Sequence, residues 1–121
     1  MDKSKMAKII YDFVKEQYGV SFVEFENLFR ENGFDYKGNL MILMPELNLV
    51  LWLNWNQDAV DVINEVINMG GAFTWTSPVI YYCDGGVPDL PVAKSMRGYK
   101  KVLHWLPVVM NIEKRSYIIE H

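Results

Sequence analysis

Only three side chains in this 121-residue sequence titrate near neutrality or attack as a thiolate: His104, His121 and Cys83. His121 is the last residue, which leaves His104 as the internal candidate for acid–base work. It lies in the apolar run Leu103-His104-Trp105-Leu106, with no partner base beside it, and reads as a hydrogen-bonded structural imidazole. Cys83 ends an apolar run with no cation close in sequence to stabilise a thiolate, and reads as a small buried hydrophobe. One cysteine closes no internal disulfide, and no CxxC or Cys/His spacing offers a zinc site, a usage that fits a reducing cytoplasm.

The carboxylates give a weaker pattern. Asp58, Asp61 and Glu65 fall three and four residues apart, on one face of a helix, and could gather a cation. They lack the oxygen-rich loop that such an ion needs, so a solvated acidic face is the plainer reading. Asp84-Gly85-Gly86 is a turn former, outside any GxxxxGK[ST] or GxGxxG context for phosphates. These residues point to a chain that is not an enzyme and that takes no metal and no cofactor.

What remains is binding. Half the residues are apolar, and four Trp, seven Tyr and six Phe imply a tightly packed core or a sizeable contact surface. Residues 1–90 carry six basic and thirteen acidic groups, a net of −7, whereas residues 91–121 carry six basic and two acidic groups, a net of +4. The sequence therefore reads as a single domain, 1–121, with an acidic body (1–90), a basic, aromatic segment (91–115) and a frayed tail (116–121). The basic set Lys94, Arg97, Lys100, Lys101, Lys114 and Arg115 has Tyr99, His104 and Trp105 interleaved. Such a set could follow a phosphate backbone and stack a base, although solvated loop lysines beside core aromatics is the plainer reading. No apolar run is long enough to span a bilayer and no signal peptide is evident, so no membrane partner is expected.

Elements must position these groups. Met6, Ile9, Ile10, Phe13 and Val14 form one stripe of a first helix over about Lys3–Tyr18, capped by Asp2 or Ser4 and stopped by Gly19. Ser21-Phe22-Val23-Glu24 is a capping box opening a second helix, whose face is Phe22, Phe25, Leu28 and Phe29 and whose end is Gly33. The simplest packing sets these two helices on each other. Leu40–Met44 and Leu47–Leu53 predict a hairpin, the second run alternating with one face in the core. Asn56 caps a third helix with Ala59, Val62, Ile63, Val66 and Ile67 inward and Gly70-Gly71 as its stop. Ala72–Thr76 and Val79–Cys83, joined at Ser77-Pro78, predict a second hairpin, and Val102–Ile112 a last strand that Pro107 makes an edge or breaks.

A helix followed by a hairpin predicts an α+β, winged-helix-like fold with three helices and two or three small β-hairpins. The twenty-odd residues between the second and third helices exceed a helix-turn-helix turn, so they are an insertion or the fold is only superficially winged. In a winged helix the third helix enters the major groove, yet its outward positions here are Gln57, Asp58, Asp61, Asn64, Glu65 and Asn68. None is basic and three are acidic, which makes it a poor reader of DNA.

Several groups of residues occur together: Asn32-Gly33-Phe34-Asp35-Tyr36 with Gly38, Trp52 with Trp55-Asn56, Tyr82 with Asp84-Gly85, Leu90-Pro91 with Ala93-Lys94, and Tyr99-Lys100 with His104-Trp105-Leu106-Pro107-Val108. In these the chain resembles small proteins of phages, prophages and phage-related pathogenicity islands of Gram-positive bacteria. The resemblance carries no catalytic residue; it implies a mobile-element accessory protein in the bacterial cytoplasm. The leading expectation is a small non-enzymatic protein that binds a host or phage protein through Asp58, Asp61, Asn64, Glu65, Asn68 and Trp105. The alternative is a nucleic-acid-binding accessory factor in mobile-element replication or transcription, using Lys94, Arg97, Tyr99, Lys100, Lys101, His104, Lys114 and Arg115. The sequence leaves the oligomeric state open.

Overall fold

Helix α1 (Lys3–Glu16) starts at Asp2, whose carboxylate accepts the Lys5 amide at 2.8 Å, and buries Met6, Ala7, Ile10 and Val14. It ends two residues before the expected Tyr18, and Gly19, at φ +73°, turns the chain into Val20. Helix α2 (Phe22–Glu31) has the full capping box between Ser21 and Glu24 and buries the four expected residues Phe22, Phe25, Leu28 and Phe29. The computed structural model describes residues 1–113; Lys114, Arg115 and the tail 116–121 lie outside the described residues.

Strands β1 (Lys37–Met44) and β2 (Leu49–Trp55) form the expected antiparallel hairpin around a 3-10 turn at Pro45–Leu47, with Asn48 at φ 53°. Here β2 departs from the one-sided alternation, because Leu49, Val50, Leu51 and Trp52 are all buried. It is the central strand of the sheet. Strand β4 (His104–Trp105) pairs parallel on its far edge, and a strand covered on both faces has no polar side to show.

Helix α3 (Gln57–Asn68), capped by Asn56, buries Ala59, Val62, Ile63 and Val66 but leaves Ile67 40% exposed. Contrary to expectation, α1 packs chiefly on α3 and only lightly on α2. Strand β3 (Gly71–Trp75) then fails to return as a hairpin. Val79–Asp84 is helix α4, and the partner of β3 is β5 (Val108–Ile112), in an unbroken antiparallel register from Gly71↔Ile112 to Trp75↔Val108. The fold is thus α+β with four helices and two small sheets among the described residues, and of the two expected local hairpins only the first, β1–β2, is present. Pro107, lacking an N–H, splits the expected 102–112 strand into β4 and β5, each in its own sheet.

The local reason for α4 is a Pro at its entrance and Gly85 at φ +90° at its exit, a pairing that favours a short helix over a strand. The tertiary reason is Tyr81. Its ring is fully buried, and its hydroxyl donates to the Val108 carbonyl at 2.5 Å while accepting the Phe22 amide at 3.1 Å. Cys83, on the same short helix, is exposed instead of buried.

Burial, above all, pushes the Tyr81 phenol above the ordinary tyrosine value of 10.0. A group whose acid is retained more tightly in the folded state stabilises fully below its unfolded pKa and loses that contribution as pH rises beyond it. Tyr81→Phe should cost about 1–3 kcal/mol by leaving a buried amide and carbonyl unpaired. In denaturant titrations the wild type should lose stability relative to the Phe variant as pH rises above 10.0. A difference between the two that stays flat with pH would contradict this account.

Candidate functional site

The outer face of α3 carries Asp58, Asn64, Glu65 and Asn68, all exposed, and Asp61, half-buried. The acidic cluster does not stand alone. Packing of α1 brings Lys3 Nζ to 2.9 Å from Asp61 and 3.7 Å from Asp58, while Gln57 donates to Asp61 at 2.8 Å. The face therefore presents three carboxylates with one ammonium seated between two of them, leaving Glu65 with Asn64 and Asn68 at its C-terminal end. Trp105, expected on the contact surface, is 0% exposed. It meets Tyr81 edge-on at 5.0 Å and lies 6.5 Å from Trp52, so it is core. Its indole N–H is buried without a partner among the described residues.

The basic segment lies on the long connection between α4 and β4. Lys94, Arg97, Lys100 and Lys101 are exposed there, and Lys114 and Arg115 fall outside the described residues. The connection is pinned to the body. The Tyr99 amide donates to the Leu47 carbonyl at 2.8 Å, Asn48 donates to the Tyr99 carbonyl at 2.8 Å, and the Lys94 amide donates to the Tyr99 hydroxyl at 3.0 Å. Tyr99 and His104 stack on each other at 3.5 Å, and His104 Nδ1 donates to the Val102 carbonyl at 2.9 Å. One face of each ring is thereby occupied by the other, which diminishes them as platforms for a base.

Two features escaped the sequence reading. The first is a cleft of about 450 Å³ lined by Glu26, Tyr36, Lys37, Trp52, Gly86 and Pro88 among others. On its wall one Glu26 oxygen accepts both the Trp52 and the Trp55 indole N–H, at 2.8 and 2.9 Å. That carboxylate satisfies two donors the aromatic core would otherwise strand. The second is a set of exposed apolar side chains at the end of β3 and on α4: Trp75 is 45% and Tyr82 57% exposed, and Val79 and Ile80, also exposed, lie between them in sequence. Reading 79–83 as a strand hid it; the Pro78 and Gly85 pair bracketing six residues was the available signal.

Among the described residues no helix is long and apolar enough to cross a membrane. In comparisons with known proteins, no family model, no curated protein and no solved structure matches the chain.

The Lys3–Asp61 contact has a testable sign. The Gln57 amide first, then Lys3, holds the Asp61 carboxyl below its ordinary value of 3.8, so its contribution is present above that pH and lost as pH falls through the lower folded value. Asp61→Asn should leave thermal unfolding near neutrality almost unchanged, as befits exposed groups, and remove a small part of the acid-side decline. An acid profile identical in the two proteins would show that the contact is electrostatically idle.

Proposed function

We propose that this chain is a small non-enzymatic binding protein that docks on another protein, and that Trp75, Val79, Ile80 and Tyr82 form the centre of its contact surface. The observation that carries this reading is the exposure of an indole and a phenol within eight residues of chain. Trp and Tyr dominate the energetics of protein interfaces, because each offers a large, stiff, amphipathic area at small entropic cost. Asn64, Glu65 and Asn68 on α3 supply a polar, acidic surface suited to a basic partner, and Asp58 and Asp61 contribute less because Lys3 already faces them. The resemblance to phage and pathogenicity-island proteins makes the partner a host or phage protein of the bacterial cytoplasm, where an exposed single thiol such as Cys83 stays reduced. In this reading α3 and the β3–β5 ladder stand as a winged-helix-like pair whose helix has been turned from reading grooves to meeting protein.

The test is capture from a host lysate by the tagged chain, followed by binding of the purified partner. Trp75→Ala with Tyr82→Ala should weaken that binding by at least about tenfold while leaving the melting temperature in place, since both side chains are largely outside the core. Unchanged affinity would remove this surface from the account.

A second reading has its own observation: Lys94, Arg97, Lys100 and Lys101 project from a pinned segment, and none of them forms an ion pair among the described residues. If they track a phosphate backbone, retardation of nucleic acid should weaken steeply between about 50 and 200 mM salt and collapse in Lys100→Glu with Lys101→Glu. Absence of binding at the lower salt eliminates it.

A further inference from the structure

The cleft of about 450 Å³ beside Glu26 holds charge that the fold itself does not use. Glu26 spends Oε2 on the Trp52 and Trp55 indoles, at 2.8 and 2.9 Å, while Oε1 accepts no donor among the described residues. Two bonds to one oxygen hold the carboxylate still, so its second acceptor is in place before any ligand arrives. Lys37 lines the same cleft and is exposed, yet neither it nor Glu26 forms an ion pair among the described residues.

The backbone here departs from a regular hairpin. Lys37 and Leu40 both register with Trp55, a bulge at the start of β1, and Asn54, on the cleft lining, takes the left-handed φ of 67°. Bulges re-aim side chains out of a ladder, and backbone in sparsely populated regions gathers at ligand sites. Another stretch of wall is Gly86 to Pro88. A Cβ on Gly86 would stand 2.8 Å from Val23 and 3.8 Å from Trp52, so this loop is seated directly on the core. The cleft is formed in advance, at a size suited to a small molecule.

We propose that this cleft binds a zwitterionic amino acid, its ammonium donating to Glu26 Oε1 and its carboxylate meeting Lys37. The two unpaired charges select this ligand. A cation alone would take Glu26 but face the Lys37 ammonium, and an anion alone would meet the reverse; a molecule carrying both signs satisfies each. With Oε2 already spent, one oxygen suits an ammonium better than a guanidinium, which grips a carboxylate through both. Leu53, Val87 and Pro88 on the lining favour an apolar side chain on the ligand. The site is separate from the contact surface proposed above, and the loss of either leaves the other standing.

Calorimetric titration of the full chain with free leucine, methionine and phenylalanine tests it. A dissociation constant on the order of 0.1 to 1 mM is expected for a ligand so small. The matching amines and carboxylic acids, each lacking one charge, should bind at least about tenfold more weakly. Lys37→Met should weaken amino-acid binding by roughly tenfold with the melting temperature unchanged, because the replaced side chain is exposed. Glu26→Gln keeps an oxygen for the indoles but offers the ligand a donor in place of an acceptor, and should abolish binding. Should that variant also melt early, Lys37→Met alone decides. No binding of any of the three up to about 20 mM, or an affinity indifferent to Lys37→Met, overturns the proposal. An amine that binds as tightly as its amino acid overturns it too, in favour of a plain cation site.

Discussion

The N-terminus of α2 is buried, and everything around it is arranged to satisfy its amides. A helix leaves its first N–H groups without intrahelical acceptors, and away from water each must find one from elsewhere. Ser21 is wholly inaccessible here, so solvent cannot help. Its hydroxyl accepts the Glu24 amide at 3.3 Å and donates to Asp84 at 2.6 Å, and Glu24 in turn accepts the Ser21 amide at 3.1 Å. The Phe22 amide goes to the Tyr81 hydroxyl. Two of the four partners, Tyr81 and Asp84, sit one turn apart on α4. A strand at 79–83 would send alternate side chains to opposite faces and could not bring both to one helix end.

That same requirement explains the aromatic core. Phe22 stacks on Trp52 at 5.6 Å and on Phe73 at 5.3 Å, and Tyr81 lies against both Trp52 and Trp105. Two indole donors are drained by Glu26, while the third, on Trp105, has no partner among the described residues. Large rings packed this densely bring polar atoms into the interior with them, and the protein meets that cost with one shared carboxylate. The aromatic residues outside this core are correspondingly informative. Trp75 and Tyr82 belong to the same two elements as Phe73 and Tyr81 but are 45% and 57% exposed.

What could be read from the sequence was what is local. The caps at Asp2, Ser21 and Asn56, the apolar stripes of α1, α2 and α3, and the hairpin around Pro45 all follow from neighbours within a few residues. What could not be read was set by distant partners. Val79–Cys83 has the β-branched and aromatic content of a strand, and becomes a helix because Tyr81 is needed at α2. Trp105 was expected on the contact surface of the basic, aromatic segment, and the parallel pairing of β4 with β2 takes it inside. Of the expected contact residues, the α3 set is where the sequence placed it, but the approach of Lys3 from α1 was not legible, since nothing local links residues 3 and 61.

The placement of β5 has a bearing on how the chain is made. Its five residues complete the ladder with β3, bridge Val20 through Met110, accept the Gly19 amide on the Asn111 side chain at 2.8 Å, and supply the Val108 carbonyl to Tyr81. Each of those groups waits on the last of the described elements in chain order. A nascent chain therefore emerges with its helix caps and first hairpin available but with β3 unpaired and α2 incompletely satisfied. Long-range closure of this kind is slow and exposes apolar surface until it is complete. The domain cannot become fully stable piece by piece during synthesis; it closes as a unit, once β5 has joined β3.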